Sequence, residues 1–211
     1  IHNWIGTKSI SGIELAKNLE QHVRNYPEEV EVKTGELAMR VLKEGDGFQV
    51  ETNKGGSYKS KTVIMCAGAR RRKLGIPGEE EFNGKGVAYC STCDAPLFSG
   101  KDVAVVGGGN AGLEAMVDLI PYANKMYLLE FSDSLKGDPV TQQHVKSSSK
   151  TELIFNAETI KVEGAQFVTG LAYKNRVSGE EKTLPVGGVF VEIGSVPNSE
   201  PIKDLVQLNN R

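Results

Sequence analysis

Residues Val103–Gly112 read VAVVGGGNAG, and this stretch decides the fold. Its four apolar residues are typical of a buried strand, its glycines indicate a tight turn, and the residues from Asn110 onward fit the start of a helix. A strand, a glycine turn and a helix in this order are what α/β proteins use to hold the pyrophosphate of a dinucleotide. The sequence therefore predicts a dinucleotide site at the turn.

Each glycine of this GxGxxG pattern has a steric purpose. Gly107 permits the turn, Gly109 lets the backbone approach the pyrophosphate, and Gly112 lets the helix pack closely on the strand. Unpaired amides at the helix start, aided by the helix dipole, would then attract the phosphates. The alternative is an ordinary glycine turn of an α/β protein. The predicted nucleotide-binding residues here are Gly107, Gly108, Gly109, Asn110, Ala111 and Gly112.

An acidic residue, Glu130, ends the next predicted strand, about twenty residues beyond the glycines. A carboxylate at this position accepts hydrogen bonds from a ribose 2′-hydroxyl and repels a 2′-phosphate. A hydrogen bond to a charged group favours NADH over NADPH by about tenfold or more. The sequence therefore predicts an NAD site with a preference for NADH. The alternative is an exposed glutamate at a strand end.

Two cysteines lie in the segment Tyr89–Asp94, YCSTCD, and three kinds of site compete for them. Zinc needs four ligands, but no second CxxC is present and the histidines are scattered. A structural disulfide is disfavoured in a reducing cytosol, so a redox pair, Cys90 and Cys93, remains. Asp94 could exchange a proton with a thiolate, or it could simply be a turn or N-cap residue. The scattered histidines are His2, His22 and His144.

Composition excludes several classes of partner. The net charge is −2, and no Lys/Arg run or long apolar stretch indicates a nucleic acid or a membrane partner. Three cysteines in 211 residues are too few for a disulfide framework, which favours a cytoplasmic location. We expect no metal site, and we expect the third cysteine, Cys66, to be a buried small hydrophobe.

Periodicity and turn residues predict the remaining elements. Helices are expected over 11–25, where Ser11 and Glu14 form a capping pattern, and over 110–120 and 139–148. Residues 76–81 are expected to form an exposed connector. Strands are expected over 30–32, 38–42, 48–52, 61–67 (buried on both faces), 103–106, 125–130, 153–155 and 188–194, with an insert hairpin over 165–184. This alternation predicts an α/β fold with a doubly wound, Rossmann-like parallel sheet.

The motifs of the chain together resemble the low-molecular-weight thioredoxin reductase family, most closely its alkyl hydroperoxide reductase flavoprotein branch. In chain order they are IG (5–6), SGIEL (11–15), AGA (67–69), IPGE (76–79), GVAYCSTCD (86–94), PLF (96–98), GGGN (107–110), LLEF (128–131), GVFVEIG (188–194) and PN (197–198). Two positions depart from the family pattern. Glu130-Phe131-Ser132 replaces the basic residues of NADPH-using members, and Cys66-Ala67-Gly68-Ala69 replaces the family's Ala-Thr-Gly-Ala, so that Ala67 stands where the family has threonine.

The resemblance implies a flavoenzyme in which NAD(P)H reduces FAD, FAD reduces the CxxC disulfide, and the dithiol reduces a thioredoxin-like or peroxiredoxin-type protein. Cys93 would face the flavin and Asp94 would donate the proton. The resemblance also implies a homodimer when the protein is full length. The further cofactor residues that it implies are Ile193 and Gly194 for NAD, and Ala67, Gly68 and Ala69 for FAD.

The resemblance also implies a domain division. The family's first FAD-binding strand, glycine turn and helix would lie before Ile1, and its closing segment would lie after Arg211. We therefore expect a partial FAD-binding domain at 1–86, an inserted NAD-binding domain with the redox CxxC at 87–197, and a truncated return toward the FAD domain at 198–211. FAD retention and activity are then expected to be weak for this piece alone.

The leading hypothesis is an FAD- and NADH-dependent disulfide reductase. A thioredoxin reductase that uses NADPH and thioredoxin is the nearest alternative. A non-catalytic nucleotide-binding module is the alternative from another functional class, since a fold does not by itself establish a function.

Overall fold

The computed structural model describes residue 1 and residues 4–209, so His2 lies outside the described residues. The chain divides into two compact units, Ile1–Cys66 with Ser199–Arg211, and Ala67–Asn198. Residues 67–86 belong to the second unit, where Phe82 is buried in the core and the Pro77 carbonyl accepts a hydrogen bond from the Val162 amide. The predicted functional division at residue 86 stays a prediction.

The first unit contains a capped helix and a small meander. Helix α1 spans Gly12–Arg24, and the Ser11 hydroxyl accepts the amide hydrogen of Glu14 at 3.1 Å, as the capping pattern predicts. An antiparallel sheet follows, with strand order β1-β2-β3. Its strands are β1 (Ala38–Glu44), β2 (Gly47–Thr52) and β3 (Ser57–Ser60), of which β3 was not predicted from the sequence.

Three expectations for this unit are wrong. Residues 30–32 and 61–67 form no strand. Instead of being buried, Ile64 is 88% exposed, and Cys66 is an exposed free thiol. The physical reason is that an apolar run becomes a strand only when a neighbouring strand pairs with it, and among residues 1 and 4–209 none pairs with this segment.

The second unit is built on a five-stranded parallel sheet with strand order β5-β12-β6-β7-β8. A three-stranded antiparallel sheet has the order β11-β10-β9, and β13 pairs with β4. The strands are β4 (Ala69–Arg71), β5 (Val87–Ala88), β6 (Val103–Val106), β7 (Met126–Leu129), β8 (Thr151–Ile154), β9 (Ala157–Gly164), β10 (Val168–Asn175), β11 (Glu181–Leu184), β12 (Gly188–Val191) and β13 (Ser195–Pro197). The helices are α2 (Ser91–Asp94), α3 (Asn110–Leu119) and α4 (Pro139–Ser147).

The parallel sheet is buried on both faces, and its side chains alternate between two cores. Val103 and Val105 of β6 point into a helix-side core with α3 and α4, while Ala104 and Val106 point into a sheet-side core formed with β9, β10 and β11. The α/β fold expected from the sequence is confirmed. Its second face is covered by the antiparallel sheet, because the predicted insert hairpin gains a third strand, β9, that was not predicted from the sequence.

The segment predicted as an exposed connector is partly buried. Glu79 is only 3% exposed and lies within a set of hydrogen bonds described below. The prediction was wrong there because a run of glutamates usually indicates solvent, whereas a buried carboxylate is stable once hydrogen-bond donors surround it. Within the described part of the chain, no helix has both the length and the apolarity required to cross a membrane.

Candidate functional site

The chemistry-bearing residues of the second unit lie at one edge of the parallel sheet. Cys90 follows β5, Gly107 follows β6, Glu130 follows β7 and Glu192 follows β12. These strands are mutually parallel, so their carboxyl ends share an edge. The crevice outside the carboxyl ends is where open α/β sheets bind their ligands.

A cavity of about 660 Å³ opens at this edge. It contains the whole glycine turn and the beginning of α3, together with the residues that end β7 and β12. Its volume lies in the range typical of small-molecule and cofactor sites. The residues around it include Leu74, Ile76, Gly107, Gly108, Gly109, Asn110, Ala111, Glu130, Phe131, Lys136, Thr159, Glu192, Ile193 and Gly194.

Two of the glycines are required by the backbone itself. Gly107 has φ +114°, and a Cβ there would lie 2.4 Å from the Glu192 carbonyl oxygen. A Cβ on Gly112 would lie 1.7 Å from the Gly107 carbonyl oxygen, so only glycine lets α3 approach the turn. At Gly109, by contrast, a Cβ would meet no atom of the described residues within 4 Å. That open space borders the cavity, where the pyrophosphate is predicted to lie.

Glu130 is buried beside the turn and already carries three hydrogen bonds. One carboxylate oxygen, Oε2, accepts the Gly108 amide at 2.6 Å, while Oε1 accepts the amide of Ser132 at 2.9 Å and also its hydroxyl. Burial alone would raise the pKa of Glu130, but the bonds from Ser132 and Gly108, with Lys136 nearby, lower it below its usual value. The group is therefore ionised at neutral pH.

The hydrogen-bond capacity of Glu130 fits the predicted ribose contact. A carboxylate oxygen accepts about two hydrogen bonds, so Oε1 is full and Oε2 has one position left. The hydroxyl oxygen of Thr159, which lies on the cavity wall, is buried and has no hydrogen-bond partner among the residues that the structure describes. An acceptor with one free position and an orphaned hydroxyl are polar groups that a bound nucleotide could satisfy. The residues present thus fit a dinucleotide.

Cys90 and Cys93 form a disulfide across the first turn of α2, with their Cα atoms 5.3 Å apart. Cys93 is exposed and Cys90 is half-buried. Asp94 lies at the N-cap of the 3₁₀ turn that follows, but its side chain makes no capping hydrogen bond. Its predicted role as a proton donor therefore stays open.

Sequence reasoning missed a residue that holds this disulfide loop. Asp118, on α3, accepts hydrogen bonds from the Ser91 hydroxyl at 2.7 Å and from the Thr92 hydroxyl at 3.1 Å. Both donors lie between the cysteines, so one carboxylate fixes the loop that the disulfide closes. The sequence offers no signal for this contact, because it joins residues 26 and 27 positions apart.

Glu192 is a second buried carboxylate at the sheet edge. Its Oε2 lies 3.5 Å from the Arg71 guanidinium. Burial raises the pKa of Glu192; Arg71 opposes that rise, and the carboxylates of Glu114 and Asp118 add to it. Among residues 1 and 4–209, no group of three or more His, Cys, Asp or Glu side chains is arranged to hold a metal ion.

The residues implied for FAD lie elsewhere on the second unit. Ala67, Gly68 and Ala69 are exposed and do not line the cavity. Their backbone is held by Asn198, whose amide bonds the Gly68 carbonyl at 3.0 Å and whose side-chain amide bonds the Ala67 carbonyl at 2.9 Å. Their role toward FAD stays a prediction.

Some residues of the cavity and some residues of the disulfide turn pack into different cores. The apolar cavity lining, which includes Leu74, Ile76 and Ile193, packs against the sheet-side core. The turn that follows the disulfide places Ala95 and Phe98 in the helix-side core.

A family model described as "pyridine nucleotide-disulphide oxidoreductase" matches residues 2–211. The chain belongs to this family. The family resemblance predicted from the motifs is thereby confirmed. The matched residues include both the glycine turn at 107–112 and the CxxC pair at 90–93.

Curated members of the family are similar over nearly the whole chain. The chain is 46% identical over 209 residues to a protein named NADH dehydrogenase from Bacillus subtilis, covering 99% of this chain and 40% of that protein. It is 44% identical over 211 residues to a Staphylococcus aureus protein named as one of the subunits of alkyl hydroperoxide reductase, covering 100% of this chain and 41% of that protein. The chain therefore spans about two fifths of the length of these relatives.

Solved structures of family members share the fold. Thioredoxin reductase from T. acidophilum matches with a TM-score of 0.75 and 37% identity, covering 100% of this chain and 68% of that one. Thioredoxin reductase from Lactococcus lactis matches with a TM-score of 0.75 and 28% identity, covering 97% of this chain and 67% of that one.

Proposed function

We propose that this chain is the nucleotide-binding and dithiol-bearing part of a disulfide reductase that passes electrons from NADH to a protein disulfide. The observation that carries the proposal is the placement of a glycine-lined cavity and the Cys90–Cys93 disulfide at one edge of one parallel sheet. The relatives named as alkyl hydroperoxide reductase support the same function. The whole protein would be a homodimer in the cytoplasm.

The cavity residues bind and orient the nucleotide. The amides around Gly109, Asn110 and Ala111 hold the pyrophosphate at the start of α3. The remaining acceptor position of Glu130 holds the adenosine ribose, and its charge disfavours a 2′-phosphate. Because Ile193 and Gly194 follow β12, on the other side of β6 from Glu130, they meet the nicotinamide half. NADH, when bound, supplies a hydride, which is a pair of electrons with one proton.

The dithiol carries the electrons to the partner protein. With Cys93 on the flavin side, the Cys90 thiolate attacks a sulfur of the partner's disulfide, and Asp94 provides a proton to the sulfur that leaves. The Cys93 thiolate then attacks the mixed disulfide. This re-forms Cys90–Cys93 and releases the partner as a dithiol, so each turnover moves two electrons and two protons. Asp118 keeps the loop in place while the bond opens and closes.

The family resemblance implies an intermediate carrier between the nucleotide in the cavity and the Cys90–Cys93 disulfide. FAD, when bound by the whole protein, supplies this carrier function by accepting and releasing two electrons. The residues of this chain that would contact FAD are Ala67, Gly68 and Ala69. The partner is a thioredoxin-like or peroxiredoxin-type protein.

A thioredoxin reductase that uses NADPH is the second candidate, since the structural neighbours from T. acidophilum and L. lactis carry the name thioredoxin reductase. Glu130 separates the two candidates. We expect kcat/KM of the full-length protein to be at least about tenfold higher for NADH than for NADPH, and Glu130→Gln to narrow that ratio. A higher kcat/KM for NADPH than for NADH would favour the second candidate, a thioredoxin reductase that uses NADPH.

The dithiol role is tested by NADH oxidation coupled to a protein disulfide. The full-length protein is expected to oxidise NADH with a peroxiredoxin or thioredoxin disulfide as acceptor, while Cys90→Ser abolishes this turnover. Cys66→Ser is the matched control, because its exposed thiol lies outside the CxxC loop. If Cys90→Ser retained full turnover, the Cys90–Cys93 dithiol would be removed from the mechanism, whereas a parent protein without turnover would instead be a nucleotide-binding module.

A further inference from the structure

Arg176 and Phe131 form a stacked pair that was not predicted from the sequence. The guanidinium carbon of Arg176 lies 3.7 Å from the centre of the Phe131 ring. A guanidinium nitrogen of the same arginine donates a hydrogen bond to the Phe131 carbonyl at 3.1 Å. The two contacts hold the planar cation over one face of the ring, which is a favourable cation–π geometry. The residues lie 45 positions apart in the sequence.

The backbone around this pair is fixed by Asn156. The Asn156 amide donates to the Ser132 carbonyl at 2.9 Å, and its carbonyl accepts from the Arg176 amide at 2.8 Å. Asn156 has φ +54°, a left-handed conformation that asparagine tolerates better than most residues. This conformation lets one residue bond both the loop after β7 and the turn after β10. Arg176 is thereby held over Phe131.

The stacked pair borders the adenosine end of the cavity. Phe131 follows Glu130 directly and lines the cavity beside it. Phe131 is 54% exposed, although a phenyl ring gains free energy when it is buried. An aromatic surface of this kind, next to a carboxylate aimed at a ribose, is suited to a planar base attached to that ribose.

We propose that the adenine ring of the bound nucleotide stacks on Phe131, with Arg176 supporting the ring from its other face. This inference rests on the proposed function. In this arrangement Arg176 supports base binding and does not bind a 2′-phosphate. The reason is that the Arg176 guanidinium already contacts the Phe131 ring and carbonyl. Phe131 and Arg176 are thus determinants of adenosine affinity contributed by two separate segments.

The test measures binding to the 211-residue chain by titration calorimetry, with NADH, 5′-AMP, nicotinamide mononucleotide and NADPH as ligands. The variants are Phe131→Ala, Phe131→Trp and Arg176→Gln. Phe167→Ala is the matched control, since Phe167 is an exposed aromatic residue of the same unit, 64% exposed, that does not line the cavity. Melting curves of every variant confirm that the chain is folded.

For Phe131→Ala we expect the Kd values of NADH and 5′-AMP to rise between about fivefold and a hundredfold, which is the range for loss of a base–aromatic stack. Nicotinamide mononucleotide should bind as it does to the parent chain. Phe131→Trp should keep the NADH Kd within about threefold, and Arg176→Gln should weaken NADH binding by about two- to fivefold.

Three outcomes would overturn the inference. The first is unchanged 5′-AMP affinity in Phe131→Ala, and the second is an equal loss for nicotinamide mononucleotide. The third is a loss confined to NADPH in Arg176→Gln, which would assign this arginine to a 2′-phosphate. Failure of the parent chain to bind NADH at all would instead contradict the proposed function, so the two failures are distinguishable.

Discussion

The phenol of Tyr89 donates a hydrogen bond of 2.9 Å to the buried carboxylate of Glu79. The same carboxylate accepts the backbone amides of Leu74 at 2.9 Å and Gly75 at 2.7 Å. Tyr89 directly precedes Cys90, and Leu74 lines the cavity. One buried carboxylate therefore joins the wall of the cavity to the residue beside the Cys90–Cys93 disulfide.

The phenol of Tyr89 stays protonated over a wide pH range, so it can keep donating this hydrogen bond. Burial raises the pKa of Tyr89, and the hydrogen bond to Glu79 raises it further. The phenol therefore keeps its proton and remains a donor at neutral and moderately alkaline pH.

Replacing Glu79 with glutamine should destabilise the chain by about 1–3 kcal/mol, because the buried amides and the phenol lose a charged acceptor. The measurement is the free energy of unfolding by urea. Glu80→Gln is the matched control. Glu80 is the next residue in the chain, but its side chain is exposed and pairs with the exposed Lys73. Equal stabilities of the two variants would contradict the role assigned to Glu79.

Two alanine substitutions in the glycine turn should separate stability from binding. Gly112→Ala places a Cβ against the Gly107 carbonyl oxygen and should cost at least about 2 kcal/mol of stability. Gly109→Ala meets no protein atom, so stability should stay within about 1 kcal/mol of the parent chain or rise slightly.

The affinity of the Gly109→Ala variant for NADH should nevertheless fall at least about tenfold, because the added methyl group occupies the space predicted for the pyrophosphate. The measurements are urea unfolding and a fluorescence titration with NADH. Normal NADH binding by Gly109→Ala would show that the pyrophosphate does not approach the turn there.

The ionised carboxylate of Glu130 should stabilise the folded chain at neutral pH, and this contribution should be lost in acid. Its folded pKa is lowered, so the unfolded chain binds the proton first as pH falls below about 4.3. The stability difference between the parent chain and Glu130→Gln should be constant above about pH 5 and shrink as pH falls through the lower folded pKa. Urea unfolding from pH 7 to pH 3 measures this, with the exposed Glu158→Gln as control. A difference that does not shrink would refute the account of its hydrogen bonds.

Glu192 should show the opposite pH dependence. Its pKa is raised because the carboxyl is buried, so the folded chain holds the proton to higher pH than the unfolded chain does. The carboxylate therefore costs stability as pH rises from about 4 through its folded pKa, and Glu192→Gln should gain stability relative to the parent chain over that window. Arg71→Gln removes the opposing charge and should steepen the decline of stability in a chain that keeps Glu192. A gain that is independent of pH would contradict this assignment.

Local sequence patterns predicted the parts of the molecule that depend on local physics. The Ser11 cap needs only neighbouring residues, and the turn at Gly107 needs only a strand, a permissive backbone and a helix start. Both can therefore be predicted from spacing. The position of Glu130 at the end of β7 was likewise predicted, although its three hydrogen bonds were not.

Contacts between distant segments could not be predicted in this way. Arg176 reaches Phe131, and Asp118 reaches Ser91, only after the elements that carry them have packed. The strand expected over 61–67 failed for the same reason, because an apolar run does not indicate whether a neighbouring strand is present to pair with it.

The central claim is that electrons from NADH reach the Cys90–Cys93 disulfide, and a thiol titration tests it most directly. The full-length protein is mixed anaerobically with excess NADH, the nucleotide is removed, and thiols are counted against the doubly substituted Cys90→Ser, Cys93→Ser variant treated identically. We predict about two additional thiols per chain in the parent protein, since reduction of one disulfide yields two. Equal thiol counts in the two proteins would contradict the claim.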